Sequence, residues 1–375
     1  MTLQPHARAA IQAEAQRLQA SLLAAGALPV ETDVLQPAET LLDLYGEDIR
    51  ARAYVTNDPL QGEMMLRPDF TVPVVQMHMA SGAEPARYSY LGAVFRKQDR
   101  MGTRASEFLQ VGYEVFDRTD PTAADAEVFA LFAQILAPLG LRAATGDMGL
   151  VMAAVAGLET SDQRKSALLR HVWRPRRFRA LLDRFSGKAA AQPARDAVLA
   201  RLTAAPAADL IAQAGSFVGL RSASEIAARV ETLLADAALP PLPSEQVALL
   251  GQVLQLADKS PAALAQLQDM ALHFPAIKPA VARLEARLNA LASRGVDVDS
   301  LDFEATYGRT TLEYYDGFVF GFYAEAQPDL PPVASGGRYD ALTRVLGQGR
   351  SIPAVGGVIR PAVSLALATA AGAPS

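Results

Sequence analysis

Residues 90–116 read YLGAVFRKQDRMGTRASEFLQVGYEVF. Two apolar runs flank the charged, turn-prone stretch KQDRMGTR, so the segment predicts a strand, a hairpin-like loop and a second strand. On the second strand, EFLQVGYEVFD, alternation puts Leu109, Val111, Tyr113 and Val115 on one face and Gln110, Gly112 and Glu114 on the other. The first face can pack on a core. The second makes a small polar floor, with Gly112 leaving room for a ligand to approach the backbone. A strand with one solvated face also fits.

Working outward, AYVTN, EMMLRP and ARYSYLGAVFR are strand-like, a first helix ends near Gly26, and a helix is predicted from about Pro121 to Ala137. Residues from about 150 to 295 change character. They are rich in Ala, Leu, Arg and Gln with apolar spacing of three and four, and Pro193, Pro206, Gly215, Pro240 and Pro261 punctuate them into short helices. Strand signals return in DFEATYGRT, TLEYYDGFVFGFYAE and IPAVGGVIR, before a last helix from about Pro361. The order predicts an α+β fold: one antiparallel sheet, flanked by helices, made by both ends of the chain (1–148 and 297–375), with residues 149–296 as a helical insertion. Short turns between strands favour antiparallel pairing.

Bulk properties narrow the function. The 375 residues carry 35 Lys and Arg against 40 Asp and Glu, a net charge of −5, which argues against a long nucleic-acid partner. With no cysteine, thiolate metal sites, disulfides and cysteine nucleophiles are excluded. His6, His78, His171 and His273 form no spaced pair, so no metal site is expected. The N-terminus lacks a signal pattern and no run of 18 apolar residues occurs, so the expectation is a soluble cytoplasmic protein without a membrane partner.

Four further segments carry chemistry. TLEYYDGFVFGFY alternates too, with Leu312, Tyr314, Phe318, Phe320 and Phe322 on one face and Glu313, Tyr315, Gly317, Val319, Gly321 and Tyr323 on the other. Its glycines suit either a ligand floor or close helix packing. In LRPDFTVPVVQMHMA, Asp69 and Thr71 precede a helix and either cap it or offer oxygens to an ammonium group. Arg96, Lys97, Arg100 and Arg104 cluster around the hairpin loop, as an anion site or a solvated tip. RHVWRPRRFRALLDRF (170–185) is an arginine-rich helix, read as an exposed face or subunit contact, with a tRNA-binding module as the rival reading.

LRPDFT, the 90–116 run, LEYYDGFVF and SGGRYDAL, in that order, resemble the motifs of histidyl-tRNA synthetases. The resemblance spans about 10–145 and 300–360 and implies a class II aminoacyl-tRNA synthetase-like fold with a histidine pocket. It places Asp69, where the family usually has Glu, and Thr71 at the ligand ammonium, and Gln110 at its polar backbone atoms. Glu114 falls at an imidazole nitrogen, Tyr315 and Tyr339 line the ring, and Arg96 meets the carboxylate. Departures from the pattern concern ATP and tRNA. Thr310 stands where a signature arginine belongs, with Arg309 one residue away. Val363 holds the adenine-stacking arginine position, Gln98 replaces a glutamate, and the C-terminal anticodon-binding domain is expected to be missing.

This mixture resembles the ATP phosphoribosyltransferase regulatory subunit family. The resemblance implies a non-catalytic chain with no cofactor, required for the first step of L-histidine biosynthesis and sensing free histidine. Its implied partners are a homodimeric copy of itself and a short-form catalytic subunit, in a hetero-oligomer, commonly an octamer. Arg309 and Arg104 are then further anion contacts. The competing reading is a truncated ligase that activates an amino acid for a non-tRNA acceptor, with Arg309 replacing the lost arginine.

Overall fold

In the computed structural model, residues 5–45, 49–98, 105–215, 220–309 and 314–370 are described. The two halves of the 90–116 segment set the architecture. Strand β5 (Ala86–Phe95) pairs antiparallel with β6 (Glu107–Phe116) along its whole length, from Ala86 opposite Phe116 to Phe95 opposite Glu107. The other strands, in chain order, are β1 (Leu28–Pro29), β2 (Leu35–Pro37), β3 (Val55–Asp58), β4 (Gly62–Leu66), β7 (Arg142–Asp147), β8 (Ala257–Lys259), β9 (Asp302–Glu304), β10 (Phe318–Tyr323), β11 (Ala334–Arg338) and β12 (Ala354–Ile359). Nine form one sheet in the order β1-β5-β6-β12-β11-β10-β7-β9-β8, and β2-β4-β3 form a small second one.

Both ends of the chain therefore build one sheet, as expected, and the fold is α+β. Its pairing is antiparallel except at β1–β5 and β7–β9, which run parallel. TLEYYDGFVFGFYAE yields a shorter strand than expected: β10 begins at Phe318, and Tyr314 lies in a turn. Thr310, Leu312 and Glu313 lie outside the described residues, as do Arg100 and Arg104 of the hairpin loop.

One face of the sheet is covered by helices. Phe318, Phe320 and Phe322 of β10 pack on Phe129 and Phe132 of the helix Pro121–Leu136, with ring centroids 5.1–6.2 Å apart. All five rings are buried, each contributing on the order of 2–3 kcal/mol of transfer free energy. That helix is capped by Asp120, whose side chain accepts from the Thr122 and Ala123 amides, with Pro121 in its first turn. With the short turn after it, the stretch Pro121–Leu139 is long and apolar enough to cross a membrane, yet its Phe129 and Phe132 are the rings that cover the sheet.

The helical block divides differently from the expected 149–296. Residues 155–251 form a compact unit of their own, while 252–296 belong with 1–154 and 297–375. Strand β8 pairs with β9 of the sheet, and a buried ion cluster ties the last helix of this stretch to the core. Arg287, on the helix Lys278–Ala292, donates to Asp125 at 2.9 Å and to Asp147 at 2.7 Å, and its guanidinium lies over the Phe318 ring. Arg338 of β11 donates to the same Asp125 at 2.7 Å. Two carboxylates buried by the sheet are neutralised by cations from distant segments, and the helix carrying Arg287 is held to the core. Unit 155–251 is all helical among the described residues.

A candidate amino-acid site on the polar face of the sheet

The face opposite the phenylalanines carries the polar residues of β6. Pleat alternation puts Gln110, Gly112 and Glu114 there, while Tyr113 points to the helices and donates to Glu127 at 2.7 Å. Gly112 does not form a floor open to a ligand, as the sequence suggested. Tyr90 stands opposite it on β5, and a Cβ at position 112 would collide with the Tyr90 phenol. The space belongs to Tyr90, which stacks on Phe70 with centroids 4.3 Å apart. The glycines of the LEYYDGFVFGFY segment are filled likewise, Gly317 by the Arg338 side chain and Gly321 by the Tyr307 hydroxyl.

Tyr90 brings its hydroxyl to Glu114, and two more hydroxyls converge there. Tyr90 and Thr71 donate to Oε1 at 3.0 and 3.1 Å, and Tyr339 donates to Oε2. The carboxyl is buried, and burial pushes it up to about 7 despite the three donors, with the charge of Asp69 adding in the same direction. Tyr90, Tyr339 and Tyr315 are raised by burial and then by Glu114. A Cβ at Gly356 of β12 would fall on Glu114 Oε2, so that glycine is what lets the carboxylate lie flat on the sheet.

Asp69 and Thr71 flank the start of the helix Thr71–Ser81. Asp69 accepts from the Val72 amide only at 3.4 Å, a long helix-capping contact, and it is buried beside Glu114. Thr71 donates its hydroxyl hydrogen bond to Glu114, so only its lone pairs remain for other partners. Gln110 is fully buried, and neither atom of its amide has a hydrogen-bond partner among the described residues. An amide left in this state costs on the order of 1–3 kcal/mol per unsatisfied group.

Tyr315 feels charges of both signs. Glu114 and Asp69 push its phenol up. Arg360, the residue after β12, pulls it down, and sequence reading had passed Arg360 over as a site residue. Arg360 donates to the Pro332 carbonyl at 2.7 Å and to Ser335 Oγ at 3.2 Å. Burial pulls it down to about 10, and the charge of Arg96 pulls in the same direction. Arg96 donates to the Pro68 carbonyl at 2.8 Å and has no carboxylate partner among the described residues. Its position next to Arg360 had no signal in the sequence, because Arg360 comes from the other end of the chain.

Arg309 is buried in the loop after Gly308, whose Cβ position abuts Val319 on this same face. Burial lowers its pKa. Of the expected residues, Thr71 and Tyr339 meet Glu114 directly, Asp69 and Tyr315 interact with it through charge, and Gln110 shares its face of β6. Arg96 and Arg360 act on each other through charge, and Arg360 also acts on Tyr315. Arg104 lies outside the described residues. No group of three or more His, Asp or Glu among the described residues is placed to hold a metal.

Comparison with known proteins identifies the family and the fold. The sequence pattern of histidyl-tRNA synthetase matches residues 2–239 and 227–362. An ATP phosphoribosyltransferase regulatory subunit of Agrobacterium fabrum is 38% identical over 348 residues, covering 87% of this chain and 89% of the relative. That of Allorhizobium ampelinum is 34% identical, covering 89% and 91%. Among solved structures, an ATP phosphoribosyltransferase regulatory subunit/histidyl-tRNA synthetase from Bacillus halodurans aligns with a TM-score of 0.67 at 22% identity, over 98% of this chain and 81% of that one. A histidine–tRNA ligase subunit from Alicyclobacillus acidocaldarius gives 0.60 at 23%, over 99% and 96%. On these grounds the chain belongs to the ATP phosphoribosyltransferase regulatory subunit family, built on the histidyl-tRNA synthetase fold.

Proposed function

We propose that this chain is the non-catalytic regulatory subunit of an ATP phosphoribosyltransferase, acting at the first step of L-histidine biosynthesis, and that the face around Glu114 binds free L-histidine as a feedback effector. The observation that carries the ligand is the fully buried, unpartnered amide of Gln110 on the same strand face as a carboxylate with one acceptor site left. A carboxylate offers about four lone-pair sites. Three hydroxyls take three, and an imidazole N–H suits the fourth. Asp69 and Thr71 then serve the ammonium, Gln110 the backbone polar atoms, Tyr315 and Tyr339 the ring, and Arg96 with Arg360 the carboxylate. A zwitterion matches a site where carboxylate and guanidinium charges both act on Tyr315. Arg309 and Arg104 are secondary anion contacts in this reading.

The relatives' names support the partner, a catalytic phosphoribosyltransferase chain. Following the family resemblance, the catalytic chain is the short form, the assembly is a hetero-octamer on a synthetase-like homodimer, and the complex is cytoplasmic. Histidine regulates by binding one conformation of the complex better than another.

The test is calorimetric titration of L-histidine into the chain and into its complex, for wild type and Gln110→Leu. Leucine removes the stranded amide at similar volume. Gln110→Leu should raise the apo melting temperature and weaken histidine at least about tenfold, the opposite pairing from a residue with only a structural role. No binding at millimolar histidine, or unchanged affinity in Gln110→Leu, overturns the sensor reading. The paired Arg96 and Arg360 also suit an α-phosphate, so histidine-dependent pyrophosphate exchange with ATP would favour the ligase reading instead.

A further inference from the structure

The helical unit 155–251 holds a concentration of guanidinium groups that histidine sensing does not use. A recess of about 160 Å³ is lined by Arg164, Arg184, Arg195 and Asp236, with Phe185 and Pro241 beside them. Three cations thus face one carboxylate.

Their roles differ. Arg164 is structurally spent. It donates to Asp236 Oδ1 at 2.6 Å and to the carbonyls of Asp236 and Pro240 at 2.7 and 2.8 Å, tying the helix Asp162–Arg170 to the end of the helix Ala223–Ala238. Arg195 reaches Asp236 Oδ2 only at 3.5 Å. Arg184, on the helix Pro175–Phe185, makes no ion pair among the described residues. Its guanidinium lies over the Phe185 ring, and its Nε is buried without a hydrogen-bond partner. Burial lowers its pKa, and Arg195 and Arg164 lower it further against the pull of Asp236. By contrast Arg176, Arg177 and Arg179 of the same helix point into solvent.

We propose that this recess is an oxyanion site for a phosphate group, with Arg184 and Arg195 as its ligands and Arg164–Asp236 as the fixed frame. A fork of N–H donors beside a second guanidinium is the arrangement that matches a phosphate oxygen pair. Size limits the occupant. Sites that enclose a whole drug-sized ligand or nucleotide run to roughly 300–1,000 Å³. A recess of about half the lower figure suits inorganic phosphate or one terminal phosphoryl group of a larger molecule. A neutral metabolite would leave the cation excess uncompensated.

The experiment uses the full chain and inorganic phosphate as probe, read by calorimetry and by thermal shift against chloride at matched ionic strength. Wild type should bind phosphate and melt higher in it. Arg184→Gln and Arg195→Gln should each weaken phosphate at least about tenfold, the factor expected for loss of a charged hydrogen bond. Far-UV circular dichroism and the melting temperature in chloride establish that each variant is folded. Arg195 is one-third exposed, so its variant remains informative if Arg184→Gln misfolds. A tRNA titration at rising salt runs in parallel. No shift beyond matched chloride overturns the proposal, as does a shift retained in Arg195→Gln. Steeply salt-dependent tRNA binding without phosphate binding overturns it in favour of an RNA-backbone surface.

Discussion

Glu114→Gln separates the energetics of the hydroxyl cage from its use in binding. Burial raises the Glu114 carboxyl from 4.5 to about 7. The folded chain therefore holds this proton more tightly than the unfolded chain does. The stability this contributes is present in full below about pH 4.5 and is lost as the pH rises through about 7. At about 1.4 kcal/mol per pH unit, a rise from 4.5 to about 7 amounts to about 3 kcal/mol lost by pH 8. Glutamine cannot ionise and removes this slope. It also turns one acceptor atom into a donor, so one of the three hydroxyls must rotate, at a cost of about 1 kcal/mol. The wild type and Glu114→Gln should lie within about 1 kcal/mol of each other at pH 5, and the variant should be more stable by about 2 kcal/mol at pH 8.

The assay is urea unfolding at pH 5, 6, 7 and 8, extrapolated to water for both chains. The subtraction matters because Asp316 titrates in the same window. It caps the helix Asp340–Leu346 by accepting from the Asp340 and Ala341 amides, and burial and then Asp340 push it up to about 7. Its contribution is common to both chains and cancels. A stability difference that stays flat from pH 5 to 8, or a variant less stable at pH 8, refutes the reasoning. The same variant should bind histidine more weakly, since an amide holds an imidazole N–H less strongly than a carboxylate does. Stability and affinity should thus move in opposite directions at pH 8.

Three further substitutions probe separate parts. Gly356→Ala puts a methyl group on Glu114 Oε2, so it should expel the carboxylate, cost about 3 kcal/mol or more by thermal unfolding, and abolish histidine binding by calorimetry. Arg287→Met should cost about 3–5 kcal/mol in urea unfolding, because Asp147 is left buried without its cation while Asp125 keeps Arg338. Arg360→Met removes a half-buried guanidinium that has only carbonyl and hydroxyl hydrogen-bond partners among the described residues, so stability should change little while histidine affinity falls at least about tenfold.

The β6 alternation was legible because a strand's period is two and one apolar face forces the register. Gln110 and Glu114 share a face for the same reason that Val111 and Val115 are both buried on the other. The extent of the helical insertion was not legible. Ala- and Leu-rich helices with apolar spacing of three and four look alike whether they pack on each other or on a sheet. Arg287 carried the distinction, but an arginine among apolar helical positions reads as solvent-facing until Asp125 and Asp147, remote in sequence, are placed beside it. Arg360 escaped for a related reason. No motif in the sequence points to it, and its proximity to Arg96 depends on the order of strands in the sheet.

Glycine shows where such reading stops and what the structure adds. A glycine on the polar face of a strand says that a Cβ is excluded there, and it leaves open what excludes it. At Gly112 the occupant is the Tyr90 ring, and at Gly356 it is the carboxylate of Glu114. Neither space is open to a ligand, yet both shape the site. Tyr90 needs Gly112 to bring its hydroxyl over Glu114, and Glu114 needs Gly356 to lie where Thr71 and Tyr339 also reach it. The glycines thus hold one acidic oxygen pair in a fixed position with three of its four acceptor sites filled. What distinguishes an imidazole here is therefore the single remaining lone pair and its direction. A ligand with two N–H donors on adjacent atoms, such as a guanidinium, would have to displace one of the hydroxyls to bind, and arginine should compete with histidine poorly in a calorimetric displacement.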